Sequence, residues 1–176
     1  MKEKTLHTER IYKGKIINLR VDTVELPSGR TTKREVVEHD ACTAIVALDS
    51  EGRVLLVRQY RKPVEKPLLE IPAGGVDPGE KPLEGARREL EEETGFTAGR
   101  WEKLSVFYTS PGFCTEEMYL YLATELRPLK REHDDDENIE LVPTPLKDTL
   151  GLIASGEICD AKSIAGLLMA MRKMKI

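Results

Sequence analysis

Apolar and polar residues alternate along residues 11–40, and the alternation is interrupted at Pro27-Ser28-Gly29. A period of two broken by a Pro/Gly turn predicts a β-hairpin. Residues 44–48 and 54–60 are denser apolar runs around Asp49-Ser50-Glu51-Gly52, which predicts a second strand pair joined by a turn. Residues 104–109 and 118–123 read as two further strands on either side of a loop containing Pro111, and residues 141–143 as a short one. Three segments carry a helical period instead. Residues 82–93 place Leu83, Ala86 and Leu90 on one face, with Pro82 suited to the first turn and Gly95 to the left-handed position past the end. Residues 145–155 predict a helix ending near Gly156. Residues 160–173 gather Ile164, Leu167, Leu168 and Met171 on one face behind Asp160, a good cap. Strands interleaved with helices predict an α/β fold, an α/β/α sandwich with a mixed sheet. The N-terminal β-hairpin extension occupies residues 1–40, ahead of a domain over 41–176.

Composition narrows the picture only a little. The chain has 176 residues, enough for one domain with a full core, and 40% of them are hydrophobic. Its net charge of −4 and scattered basic residues argue against a nucleic-acid footprint. No apolar run is long enough to span a bilayer, and Met1-Lys2-Glu3-Lys4-Thr5 lacks the apolar stretch of a secretory signal, so the cytoplasm is expected. Cys42, Cys114 and Cys159 are unevenly spaced without a C-x-x-C, which points away from disulfide and zinc roles. His7, His39 and His133 show no metal-ligand spacing.

Candidate chemistry concentrates between Gly74 and Phe96. Gly74, Glu80, Arg88, Glu89, Leu90, Glu92, Glu93, Gly95 and Phe96 stand at the intervals G-x5-E-x7-R-E-U-x-E-E-x-G-U, with U apolar. On the predicted helix Glu89, Glu92 and Glu93 share one arc, since i, i+3 and i+4 are neighbours. Three carboxylates on one arc repel one another. Arg88 offsets part of this, through i, i+4 pairs with Glu84 and Glu92. A hard divalent cation such as Mg²⁺ is the natural remaining partner, because it takes oxygen ligands and keeps waters. A Glu-rich helix is ordinarily a solvated face; the flanking glycines and fixed spacing set this one apart.

This constellation resembles the box of the Nudix hydrolases, which cleave a nucleoside diphosphate linked to another group. The resemblance implies that Glu89, Glu92 and Glu93 hold metal, that Arg88 orients them, and that Glu80 steadies the preceding loop. It adds the backbone carbonyl of Ala73 as a further ligand. Val57-Arg58-Gln59-Tyr60-Arg61, followed by Leu69-Glu70-Ile71-Pro72-Ala73-Gly74, looks like the ADP-ribose pyrophosphatase branch. So do Ser110-Pro111-Gly112-Phe113, with Pro111 fifteen positions past Phe96, and the acidic stretch Asp134-Asp135-Asp136-Glu137.

The branch implies hydrolysis of ADP-ribose to AMP and ribose 5-phosphate with Mg²⁺, or Mn²⁺ in its place. Arg58 or Arg61 would hold the phosphates, as the guanidinium fork fits their oxygens. Glu70, Pro111, Gly112 and Glu116 would contact substrate. Glu137 aligns with a further metal ligand. Asp135 aligns with the position of a catalytic glutamate and is one methylene shorter, so the base is either Glu93 or a carboxylate of the Asp135–Glu137 loop. Tyr60 and Phe113 could stack on a base, although core packing is the commoner use of an aromatic residue. The branch also implies a homodimer in which the N-terminal hairpin is the exchanged arm. Other nucleoside diphosphate derivatives, such as nucleotide sugars and dinucleoside polyphosphates, are alternative substrates. A regulator that binds a nucleotide without cleaving it is the remaining alternative.

Overall fold

The computed structural model describes residues 2–129 and 139–176; in it the hairpin expected around Pro27-Ser28-Gly29 forms, and a further strand that the alternation did not predict precedes it. β1 (Lys4–Lys13), β2 (Ile17–Glu25) and β3 (Thr31–His39) make an antiparallel sheet in the order β1-β2-β3. The turn after β2 closes by Leu26 N–H to Arg30 O and Gly29 N–H to Leu26 O, both 2.9 Å. Gly29 takes a φ of 80°, where a side chain would be strained. Every residue of β1 is exposed, so no buried face imposes a legible alternation on it. Met1–Ala41 and Phe107–Glu117 form one compact unit. Within it the Pro111 loop is stitched to β3 by Val37 N–H to Phe113 O (2.7 Å) and Thr115 N–H to Val37 O (3.0 Å).

Cys42–Val106 and Met118–Ile176 form the second unit. Its elements are β4 (Cys42–Ala47), β5 (Arg53–Arg61), β6 (Lys66–Glu70), β7 (Ala73–Gly75), α1 (Pro82–Thr94), β8 (Phe96–Tyr108), β9 (Glu117–Pro128), β10 (Glu140–Pro145), α2 (Thr149–Ser155) and α3 (Ala161–Met174). The ends of β8 and β9 run into the first unit. One sheet has the order β7-β4-β9-β8, and the other β10-β5-β6. β4 runs antiparallel to β7 and parallel to β9, which makes the first sheet mixed. The expected pairing of β4 with β5 does not extend into a ladder. The two strands share only a Leu48–Val54 bridge beside the Asp49 turn. β7 and β9 already occupy both edges of β4, so no ladder edge is left for β5.

Alternation along the strands divides the core between two helical layers. Ile45, Ala47, Tyr121 and Ala123 cluster with Ala86 and Leu90 of α1. Val46, Leu120 and Ile71 close instead on Gly166 of α3, where an added Cβ would come within 2.9–3.1 Å of them. Helices therefore cover opposite faces, an α/β/α sandwich. The helix expected over 145–155 is a 3₁₀ turn at Leu146–Asp148 followed by α2, which Gly156 ends at a φ of 80°. Asp160 caps α3 by accepting Ser163 N–H at 3.0 Å.

Candidate active site

Both ends of α1 are set by the residues that predicted them. Pro82 opens the helix, and Glu84 reaches back to accept Lys81 N–H at 3.1 Å. Gly95 closes it in the left-handed conformation, φ 70°, with its N–H on Glu91 O. The buried Ala86 and Leu90 hold one face to the sheet, which fixes where the charged arc stands. The expected Glu84–Arg88 pair does not form, because Glu84 is used at the helix start.

Arg88 is the hub of the box. Its guanidinium donates to Glu89 Oε1 (2.6 Å), Glu92 Oε2 (3.0 Å), Glu80 (3.2 and 3.3 Å) and the Gly75 carbonyl (2.8 Å). These bonds hold it charged well above the ordinary arginine range. Glu80 also accepts Asp77 N–H at 2.9 Å, so it ties the loop to the helix. Arg88 and that N–H keep the Glu80 carboxyl below its usual range. Gly74 is required for room: a Cβ there would lie 2.1 Å from Cδ of Glu89.

Glu93 lies deeper than Glu89 and Glu92 on the same helix. It is buried, with Oε2 accepting Ala73 N–H at 2.9 Å and Oε1 accepting from Gln59 Nε2 at 3.3 Å. Burial pushes its carboxyl up to about 7, against the opposing pull of the Ala73 N–H, with the charge of Glu89 adding to the rise. The Ala73 N–H thus orients Glu93. Glu89, Glu92 and Glu93 offer carboxylate oxygens alone, the donor chemistry of a hard divalent cation. The Glu89 carboxylate occupies the space that Gly74 leaves, and the three side chains are of the type that holds such a cation.

Strand alternation separates the two candidate arginines. Gln59 and Arg61 stand on one side of β5 and Arg58 on the other. Arg58 pairs with Glu157 (2.7 Å) and Glu140 (3.6 Å). Arg61 Nε bonds Glu70 Oε2 at 2.6 Å, and its positive charge favours the ionised form of Glu93. Glu70 is buried, and its second oxygen accepts from Lys162 Nζ at 2.6 Å. Glu70 is therefore engaged on both oxygens by this chain's own cations.

Pro111, Gly112 and Glu116 belong to the first unit. Phe113 and Cys114 N–H both bond Ser110 O, at 3.1 and 2.8 Å, closing the turn, and Glu116 accepts from the Thr109 hydroxyl. Asp135 and Glu137 lie outside the described residues. Sequence reasoning passed over Gln59, Asp77 and Lys162. For Gln59 the signal was there, since residues two apart on a strand share a face with Arg61. Lys162 gave none, standing in a helix far along the chain.

The NUDIX domain family matches residues 38–165, and the nucleoside diphosphate sugar hydrolase N-terminal domain matches residues 3–37. An ADP-ribose pyrophosphatase of Bacillus subtilis (strain 168) is 48% identical over 165 residues, covering 93% of this chain and 89% of the relative. A methanol dehydrogenase activator of Bacillus methanolicus is 45% identical over 166 residues, covering 92% and 89%. A solved structure of an ADP compounds hydrolase superposes with a TM-score of 0.89 at 25% identity, over 99% of this chain and 95% of that one. With the glycines, the arginine hub and the glutamate arc in place, and with most of its length matched, this chain belongs to the Nudix family.

Proposed function

We propose that this chain hydrolyses the diphosphate bond of ADP-ribose, releasing AMP and ribose 5-phosphate. The observation that carries the reaction class is the Arg88-centred array, in which Glu89, Glu92 and the buried Glu93 present oxygens from one helix. The substrate rests on likeness to the Bacillus subtilis pyrophosphatase and the ADP compounds hydrolase. Glu89, Glu92 and Glu93, with Glu137 and the Ala73 carbonyl, would hold Mg²⁺ or Mn²⁺, which when bound neutralises diphosphate charge and acidifies water. Arg88 keeps Glu89 and Glu92 apart and oriented. Arg61 is held at Nε by Glu70, and among the described residues the rest of its fork is available to phosphate oxygens. Arg58 serves the same substrate less directly, since Glu157 and Glu140 engage it. The base that takes the proton is Glu93 or a carboxylate of the Asp135–Glu137 loop. Pro111, Gly112 and Glu116 are assigned to the nucleoside end of the substrate.

We read the molecule as a cytoplasmic homodimer, with residues 1–40 as its arm. Leu6, Ile11, Tyr12 and Ile16, all exposed in the first unit, support the arm, because apolar surface seeks a partner. Light scattering that gives the monomer mass at micromolar concentration would overturn it. The uneven spacing of the three cysteines supports a reducing compartment.

The test of function is AMP release from ADP-ribose with Mg²⁺ and with EDTA. Metal-dependent AMP and ribose 5-phosphate are expected. Cleavage of a nucleotide sugar or a dinucleoside polyphosphate with ADP-ribose untouched would replace the substrate and keep the site. The likeness to the methanol dehydrogenase activator favours a second reading, in which the chain raises the activity of a partner enzyme. Inertness toward every diphosphate, with stimulation of an alcohol dehydrogenase, would select it.

A further inference from the structure

Glu70 is the centre of a charge chain that the reaction does not itself demand. It is 3% exposed, and its two oxygens meet Arg61 Nε and Lys162 Nζ, each at 2.6 Å. Lys162 Nζ also bonds Asp160 Oδ2 at 2.9 Å, and the same oxygen caps α3 through Ser163 N–H. Ser163 Oγ in turn accepts Ile71 N–H at 2.9 Å. Ile71 is two residues from Ala73, whose N–H orients Glu93. The first turn of α3 is therefore bonded twice to the segment that leads into the box, once through Lys162 to Glu70 and once through Ser163 to Ile71.

A buried carboxylate with one cationic partner keeps part of its desolvation cost and is free to reorient toward that partner. With both oxygens engaged, its plane is fixed, and the guanidinium bonded to it is fixed as well. Arg61 needs such help. Its single side-chain hydrogen bond among the described residues is at Nε, and its side chain is 36% exposed. An arginine held at Nε and open at its terminal nitrogens is preorganised for a phosphate, with less rotamer freedom to lose on binding.

We propose that Lys162 is a positioning residue for the hydrolytic reaction: it locks Glu70, and Glu70 aims Arg61 at the phosphates of the substrate. The proposal rests on the reading of Arg61 as a phosphate-binding residue. Lys162 itself touches no substrate. Its effect runs through the carboxylate it shares with Arg61.

The experiment compares Lys162→Met, Lys162→Arg, Arg61→Ala and the Lys162→Met/Arg61→Ala double variant. Lys162→Met is expected to raise KM for the diphosphate by about tenfold or more, in line with the loss of an orienting partner, with kcat changed much less. Lys162→Arg is expected to restore KM. The double variant should be no worse than Arg61→Ala alone, because both changes remove one function. Multiplying effects, or a wild-type KM in Lys162→Met, would overturn the proposal. If Lys162→Met fails to fold, Glu70→Gln/Lys162→Met removes both buried charges and keeps the shape. It should fold and still carry the raised KM, since a neutral amide holds a guanidinium less firmly than a carboxylate does. A wild-type KM there is the overturning result. A second readout needs no turnover: the Arg61 Nε–H signal in nitrogen-15 spectra, identified by its loss in Arg61→Ala. Slow solvent exchange in the wild type and in Lys162→Arg, with fast exchange in Lys162→Met or the Glu70→Gln/Lys162→Met pair, supports the lock. Unchanged exchange overturns it. A wild-type chain that cleaves no diphosphate would sink the functional reading alone, and the spectra would still decide the lock.

Discussion

Three carboxylates on one helix are tolerable because each has a partner. Glu89 and Glu92 lean on Arg88, while Glu93 leans on the Ala73 N–H and on Gln59. Glu92 is the one whose removal disturbs least packing, since its side chain is 48% exposed. Glu92→Gln should therefore cut kcat by more than about a hundredfold, beyond what loss of an outer partner costs. Its melting temperature should stay near that of the wild type. A steady-state assay beside a melting curve checks both, and activity within tenfold of the wild type would remove Glu92 from the site. Gly74→Ala probes the other side of the contact. The new Cβ displaces the Glu89 carboxylate, so activity should fall sharply for an overpacking cost of about 1–3 kcal/mol. Activity retained in Gly74→Ala would show that Glu89 does not need its present place. These residues were legible in the sequence because spacing on a helix is geometry. The Glu70–Lys162 bond was not, because nothing local links a strand residue to a helix ninety-two positions later.

Elements were legible where one face is buried. α1, α3 and the hairpin of β2 and β3 show their periods because one side of each meets a core or a neighbour. β1 has no such side, and its ten residues carry no pattern to read. Pairing was harder than existence. β4 and β5 both declare themselves as strands, yet adjacency in sequence suggested a ladder that two other strands pre-empt. The energetics of α1 follow from its apolar face. Leu90 is fully buried among Ile45, Leu55 and Tyr121, so Leu90→Ala should cost about 2–5 kcal/mol through lost transfer energy and a residual cavity. Urea denaturation measures this. A change below about 1 kcal/mol would mean that the helix is not anchored by that face. Partial unfolding of α1 would also scatter the glutamates, so activity should fall at lower denaturant than bulk secondary structure.

For the whole molecule, acid is the informative perturbation. In the first unit Asp22 is buried and accepts from the Thr8 hydroxyl at 2.8 Å and from Arg20 at 3.1 Å. Those bonds, Thr8 foremost, hold its carboxyl below the ordinary aspartate value of 3.8. A carboxyl lowered in the folded state binds fewer protons there than in the unfolded chain. Its contribution is thus complete above that ordinary value and disappears as pH falls through the folded one. The melting temperature of the wild type should drop on acidification in this window, and Asp22→Asn should flatten the drop while lowering the plateau at neutral pH. Equal slopes in the two proteins would show that Asp22 carries none of it. The grouping of residues 107–117 with Met1–Ala41 was not legible in the sequence, because it depends on backbone bonds to β3. The lock between Glu70 and α3 has a consequence for how the enzyme comes into being. Translation delivers the box and its strands first and Asp160, Lys162 and Ser163 afterwards. A nascent chain, or one cut ahead of Asp160, carries every glutamate of α1 yet leaves Glu70 half-answered and Ile71 N–H without its hydroxyl. On the proposed lock, tight substrate binding is the last property acquired: a chain ending ahead of Asp160 should hold the diphosphate more weakly until α3 closes behind Glu70 and Ile71.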